Sequence, residues 1–181
     1  QDTAPAGIFF KPDGTKMYIV GNTGDVVNEY NLARPWDVST ASFLQASPSV
    51  AGHEATPQGI FFKPDGKKMY IVGIGSDNVN EYTLSSPWNV ATIIRHKIFN
   101  AAAQDANPES LFFKPDGTKM YVLGDANDDV YEYNLSTPWD VSTASFLQQK
   151  DVGSQDTTSQ NIFFKPDGTK MYIVGGTDDE V

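Results

Sequence analysis

The chain has 181 residues, no cysteine and a formal net charge of −10 at pH 7. Without cysteine no disulfide can stabilise the fold, and no apolar run reaches the roughly 18 residues of a membrane-spanning helix. The acidic charge argues against nucleic acid or an anionic membrane surface as a partner, because both attract clustered Lys and Arg.

One segment, FFKPDGTKMYIVG at residues 9–21, returns almost unchanged three more times. Its Lys-Pro pair begins at Lys11, Lys63, Lys114 and Lys165, so the spacings are 52, 51 and 51 residues. Apolar and β-branched runs on both sides of Lys-Pro-Asp-Gly predict a β-hairpin, in which proline presets φ and glycine adopts the left-handed conformation. We therefore expect a positive φ at the four turn glycines, which are Gly14, Gly66, Gly117 and Gly168.

Each full repeat predicts four strands, named A to D in chain order. In the first repeat they are expected at residues 6–11, 16–21, 26–32 and 41–46. The connector between strands C and D contains Asp37, which can cap a single helical turn. The fourth repeat has strands A and B and reaches Val181, where strand C would begin. The predicted units are residues 5–56, 57–107 and 108–158, with a half unit at 159–181.

Four short antiparallel strands in about 50 residues are typical of a β-propeller blade. The segment FKPDGTKMYIV at residues 10–20 resembles the SPDG-containing repeats of YVTN-type and TolB-type propellers, although the repeats here are longer by the PWDVST connector. The resemblance implies an all-β propeller of four-stranded blades, three and a half in this chain, with strand A innermost. Such propellers include lactonases, envelope proteins and scaffolds, so the resemblance does not select a function.

Two sets of residues are expected between the blades. The tryptophans of the C–D connectors should fill the gap between blades, with an aromatic sugar platform as the alternative; they are Trp36, Trp88 and Trp139. A glutamate recurs in every strand C and should pair with a hairpin lysine, because burying an unpaired carboxylate is costly. These glutamates are Glu29, Glu81 and Glu132.

The loops that join B to C and D to A carry most of the carboxylates, so they predict one strongly acidic face. One residue near the start of strand A varies between repeats. This residue and its neighbours should surround the mouth of the central channel that the innermost strands of a propeller enclose. The candidate ligand-binding residues there are Gln58, Asn107, Glu109, Ser110, Gln160 and Asn161. No catalytic motif is found, and neither His53 nor His96 is expected to be catalytic.

Two acidic loops resemble calcium-binding loops in composition, because calcium takes six to eight oxygen ligands. Their candidate ligands are Asp125, Asp128, Asp129, Asp178 and Asp179. Their spacing matches no EF-hand, and acidic loops that only keep the array soluble are the alternative. No other cofactor is expected.

Two functional hypotheses follow. The first is a non-enzymatic binding or structural module, part of a larger ring, whose acidic face binds an unknown protein or small ligand. The alternative is a metal-dependent, lactonase-like or hydrolase-like enzyme whose metal is held by Glu109, Asn107 and Asn161. Open strand edges recruit other strands, so we also expect a homo-oligomer through the terminal repeats. An extracellular, cell-envelope or virion location is expected rather than a cytoplasmic one.

Overall fold

The computed structural model describes residues 2–176, which form β-strands joined by turns and three short 3-10 helices. The first blade contains β1 (Pro5–Phe10), β2 (Lys16–Gly21), β3 (Val27–Leu32) and β4 (Ala41–Ala46). The second contains β5 (Pro57–Phe62), β6 (Lys68–Gly73), β7 (Asn78–Leu84) and β8 (Ile93–Asn100). The third contains β9 (Pro108–Phe113), β10 (Lys119–Gly124), β11 (Asp129–Leu135) and β12 (Ala144–Asp151). The half-blade contains β13 (Ser159–Phe164) and β14 (Met171–Gly175).

Each blade is an antiparallel sheet whose strands lie side by side in chain order. The predicted strands agree with these bounds to within two residues. The predicted helical turn is also present, because Asp37 caps the 3-10 helix Val38–Thr40 by accepting a hydrogen bond from the Ser39 amide. The expected strand C at Val181 lies outside the described residues. No helix within residues 2–176 is long and apolar enough to cross a membrane.

The hairpin turns have the predicted conformation. In the first, the Gly14 amide donates to the Lys11 carbonyl at 2.8 Å. The φ angles of the four turn glycines, in chain order, are 72°, 71°, 73° and 72°, which confirms the prediction. The following connector then folds back onto the turn, since the Trp36 amide donates to the Gly14 carbonyl at 3.0 Å.

The blades pack face to face, with an aromatic side chain of the second strand of one blade against one of the first strand of the next. Tyr18 of β2 lies against Phe62 of the second blade, with ring centroids 4.4 Å apart. Tyr70 contacts Phe113 in the same way at 4.3 Å. The innermost strands β1, β5, β9 and β13 contact one another in succession. The core therefore lies between neighbouring sheets, and strand A lies nearest the centre.

The connector tryptophans of the second and third blades fill the space between blades, as predicted, but the prediction was wrong for Trp36, which is 59% exposed on the first blade. Trp88 stacks on Phe62 at 5.5 Å, and Trp139 stacks on Phe113 at 5.4 Å. Their backbone carbonyls also accept hydrogen bonds from the hydroxyls of Tyr18 and Tyr70, each at 2.8 Å.

The predicted pairing of the strand C glutamates with hairpin lysines is confirmed. Lys68 donates to Glu81 at 2.6 Å, and the equivalent pairs are Lys16 with Glu29 and Lys119 with Glu132. The second oxygen of Glu81 accepts a hydrogen bond from the Val141 amide of the next blade at 2.9 Å. Each complete network thus joins a strand of one blade to the connector of its neighbour.

Candidate functional site

Every innermost strand begins with a one-residue irregularity in its pairing. In β5 the register passes from Pro57 opposite Gly73 to Gly59 opposite Val72, which leaves Gln58 without a partner on β6. Ala6, Glu109 and Gln160 hold the same position in the other inner strands. A bulge redirects the side chain of its extra residue, and bulges are over-represented beside active sites.

The four bulge residues line one cavity of about 390 Å³, here called the polar cavity. Its remaining lining comes from Pro5 at the start of β1 and from loops at the same end of the blades. The complete lining is Ala4, Pro5, Ala6, Asn22, Gln58, Glu109, Asp125, Thr158 and Gln160. This volume suits a small-molecule ligand, because such pockets measure roughly 300–1,000 Å³.

Glu109 is the half-buried carboxyl of the polar cavity. Burial, and then the negative charges of Asp125 and Asp105, raise its pKa to about 7. Burial and like charges both disfavour the ionised carboxylate. A carboxyl with this pKa exchanges a proton readily near neutral pH, which is the property required of a general acid or base.

Asp125 is the second carboxyl that lines the polar cavity. Burial raises its pKa, and the charges of Asp128, Asp105 and Asp156 act in the same direction. Gln58 and Gln160 provide carboxamide groups on the same lining. The cavity therefore combines two carboxyl groups with amide hydrogen-bond donors.

Asp105 is a buried residue that fixes the position of a loop at this site. Its carboxylate is buried and accepts hydrogen bonds from the backbone amides of Asn107, Ala126 and Asn127, at 2.7, 3.3 and 3.2 Å. It therefore holds the β10–β11 loop that carries Asp125. Sequence reasoning missed this role, although an acidic residue recurs at this position as Asp2, Glu54, Asp105 and Asp156 with the period of the repeat.

The structure does not bring all the predicted ligand-binding residues to the polar cavity. Gln58, Glu109 and Gln160 line it, whereas Ser110 and Asn161 line a larger apolar cavity of about 660 Å³ beside the inner strands. Ser110 donates to the side-chain oxygen of Asn161 at 2.8 Å.

Asn107 also lies outside the lining of the polar cavity. Its side chain is exposed, while its backbone carbonyl accepts a hydrogen bond from the Asp125 amide at 3.0 Å. The proposed metal ligands Glu109, Asn107 and Asn161 therefore do not share one cavity lining.

The predicted calcium residues Asp125, Asp128 and Asp129 lie in or beside the β10–β11 loop. Asp129 is buried and accepts a hydrogen bond from Gln149 at 2.8 Å. Asp178 and Asp179 lie outside the described residues. Within residues 2–176 no three His, Asp or Glu side chains are arranged to hold a metal ion. Calcium binding stays a prediction, without a ligand set in this part of the chain.

The two histidines lie together, away from the polar cavity. Their rings stack with centroids 3.7 Å apart, and Nδ1 of His53 is 3.3 Å from the Tyr82 hydroxyl. Nε2 of His96 is 2.9 Å from the side-chain oxygen of Asn80. Burial and the neighbouring His53 lower the pKa of His96 to about 4. The hydrogen-bonding partners of the two histidines are the side chains of Tyr82 and Asn80. Neither partner is a carboxylate of the kind that orients a catalytic histidine.

No family model matches the sequence, and no curated protein matches it. Solved structures do resemble the chain. A candidate 6-phosphogluconolactonase from Bacteroides uniformis matches 93% of this chain with a TM-score of 0.65 and 16% identity. The periplasmic gluconolactonase of Pseudomonas aeruginosa matches 94% with a TM-score of 0.62 and 18% identity. Hydrazine synthase of Kuenenia stuttgartiensis matches 98% with a TM-score of 0.62 and 17% identity.

The chain is a β-propeller. It holds about three and a half four-stranded blades, as the repeat predicted. The matches cover 46%, 47% and 43% of those three chains, so this chain spans about half the length of the propellers that it resembles.

These matches contradict the first hypothesis, a non-enzymatic binding or structural module. Lactonase-type proteins from Bacteroides uniformis, Bacteroides fragilis and Pseudomonas aeruginosa are among the similar structures. They favour the lactonase-like alternative. Their TM-scores of 0.65, 0.59 and 0.62 show a common fold, but at identities of 16%, 14% and 18% they show no more than that. Fold alone does not determine activity.

Proposed function

We propose that the polar cavity hydrolyses a neutral lactone of the sugar-acid class, with Glu109 as the general base. The observation that carries this proposal is a half-buried carboxyl with a pKa of about 7 on the lining of a polar cavity. General-base efficiency is greatest when the pKa lies near the working pH. The lactonases among the similar structures support the substrate class.

The lining residues divide the work of hydrolysis. The ionised Glu109 accepts a proton from water as the water oxygen bonds to the lactone carbonyl carbon. The side-chain amides of Gln58 and Gln160 donate to the carbonyl oxygen while negative charge develops there. The ring C–O bond then breaks, and the ring oxygen receives the proton from Glu109, which yields the open hydroxy acid.

The charge of the cavity favours a substrate without phosphate. Asp125 lies on the lining and Asp105 beneath it, and both raise the pKa of Glu109 through their negative charge. The same charges would repel a phosphate group. Among sugar lactones, gluconolactone is therefore preferred over 6-phosphogluconolactone.

Kinetic measurements on the Glu109→Gln variant test this proposal. Gluconolactone hydrolysis by the 181-residue chain should exceed the rate in protein-free buffer, and the variant should lose about 100-fold or more of that excess, as expected for the loss of a general base. The rate should rise with pH through about 7, because the base acts only after it has lost its proton. The phosphorylated lactone should react more slowly.

Two further variants complete this test. Asp125→Asn removes a negative neighbour of Glu109, so it should move the pH profile to lower pH without abolishing activity. Asp116→Asn, in the exposed turn between β9 and β10, should leave the rate unchanged. An unchanged rate in Glu109→Gln, or no hydrolysis above buffer in the parent chain, would refute the proposal.

Two further proposals concern the propeller repeat family to which the chain belongs and the location of the protein. We propose that the repeats belong with the YVTN-type and TolB-type propellers, on the strength of the FKPDGTKMYIV segment. A location outside the cytoplasm is supported by the similarity to a periplasmic gluconolactonase.

A further inference from the structure

The junctions between consecutive blades repeat the same contacts. At the first junction, Phe9 and Tyr18 lie against Trp88, with ring centroids 6.4 and 6.3 Å apart. At the second, Phe61 and Tyr70 lie against Trp139, each at 6.4 Å. One blade thus presents a phenylalanine and a tyrosine, and the next blade presents its connector tryptophan.

The backbone contacts of the junctions repeat as well. Glu29 accepts from the Val90 amide at 3.1 Å, and Glu81 accepts from the Val141 amide at 2.9 Å. Val90 and Val141 are both 0% exposed. The residue two positions after each connector tryptophan is therefore covered wherever a preceding blade is present.

Within residues 2–176, no blade packs against the connector side of the first blade. We name this surface the leading face and define it by Phe10, Trp36 and Val38. Trp36 and Val38 are each 59% exposed, in contrast to Trp139 at 7%. Phe10 and Trp36 already stack on each other, with centroids 5.7 Å apart, so the surface is formed before any partner binds.

The half-blade presents the opposite side of the same junction. We name this surface the trailing face and define it by Phe163, Tyr172 and Val174. Phe163 is 56% exposed and Tyr172 is 40% exposed, whereas the equivalent Tyr18 and Tyr70 are 0% exposed. Apolar surface of this kind is stabilised when it is removed from water.

We propose that the leading face of one copy binds the trailing face of a second copy. The partner is a second copy because each face is one half of a contact that the chain already makes twice internally. In this arrangement Phe163 and Tyr172 contact Phe10 and Trp36, and the Tyr172 hydroxyl donates to the Trp36 carbonyl, as Tyr18 and Tyr70 do to Trp88 and Trp139.

The size of the similar propellers agrees with this arrangement. The chain covers 46% of the Bacteroides uniformis protein and 47% of the Pseudomonas aeruginosa protein. A second copy would contribute about as much chain as the part of those propellers that lies beyond the match. Two leading-to-trailing contacts related by a two-fold axis use both faces of both copies.

Complementation between two variants of the 181-residue chain tests the pairing. Val38→Glu places a charge on the leading face, and Phe163→Glu places one on the trailing face. Light scattering at micromolar concentration should give the unsubstituted chain at least twice the monomer mass of 19.8 kDa. Each variant alone should be monomeric, because every junction needs one intact face of each kind. A mixture of the two should form a complex of one copy of each.

Folding and specificity are checked with the same samples. Circular dichroism should show that both variants retain the β-sheet spectrum of the parent. Leu147→Glu, at an exposed apolar position of β12 away from both faces, should leave the mass of the parent unchanged. A monomeric parent chain would overturn the proposal. So would folded variants that remain associated alone, since that result would mean that like faces pair.

Discussion

At the scale of single residues, the repeated glutamate of the third strand joins neighbouring blades. Glu81 is buried, accepts from Lys68 at 2.6 Å and accepts from the Val141 amide at 2.9 Å. Glu132 has the same hairpin partner, Lys119, and a hydrogen bond from Gln148 at 2.7 Å. It is more exposed than Glu81. Glu81 and Glu132 therefore hold equivalent positions in their blades but differ in how far they are buried.

This difference predicts unequal costs for the same substitution. Glu81→Gln leaves the half-buried Lys68 without its counter-charge and should destabilise the chain by about 3 kcal/mol. Glu132→Gln removes a more solvated ion pair and should cost at most about 1 kcal/mol. Urea unfolding followed by tryptophan fluorescence measures both. Equal losses of stability would show that burial at the junction does not determine the strength of the pair.

At the scale of the hairpin element, the turn and the connector form one unit. In each of the three full blades the turn glycine has a positive φ, and the indole of the same blade lies directly over it. Sequence reasoning predicted the φ angle from Lys-Pro-Asp-Gly, but not this contact. Only the return of the chain after the third strand brings the tryptophan onto the turn, and a local pattern carries no information about that return.

The third blade and the half-blade provide a matched pair to test this contact. Gly117 and Gly168 have φ angles of 73° and 72°. A β-carbon on Gly117 would overlap the Trp139 indole, whereas one on Gly168 would meet no described atom within 4 Å. Gly168→Ala should therefore cost about 1 kcal/mol from the backbone conformation alone. Gly117→Ala should cost about 1–3 kcal/mol more, because the indole must move.

Thermal and urea unfolding of the two alanine variants distinguish these contributions. Similar destabilisation in both would mean that backbone conformation accounts for the whole effect and that the indole yields freely. A loss confined to Gly117→Ala would instead show that the turn of the half-blade tolerates alanine.

At the scale of the whole molecule, the period of 51–52 residues was sufficient to predict the blades, because each repeat carries its own turns and strand patterns. The candidate site was only partly predictable. The variable position that contains Glu109 was evident in the sequence, but its place on a bulge depends on pairing between strands. Its pKa is raised first by burial and then by the charges of Asp125 and Asp105, which come from separate loops. Asn107 and Asn161 were grouped with Glu109 by position along the chain, and the folded loops separate them.

The unequal covering of the blades also predicts an unequal resistance to local opening. In β6 the side chains of Met69, Tyr70, Ile71 and Val72 are all fully buried between two neighbouring blades, whereas most of β14 is exposed. Arrays of repeats gain stability from each neighbour, and strands with few buried contacts open most easily.

In the Val38→Glu variant, which we expect to be monomeric, amide hydrogen exchange should be slowest in β6 and fastest in β13 and β14. The Phe163→Glu variant has an intact leading face. Mixing this second protein with the Val38→Glu variant should cover Tyr172 and Val174 of the latter and so slow amide exchange in its β14. Exchange in β14 as slow as that in β6 before mixing would contradict this account, because it would show that the trailing face needs no neighbour.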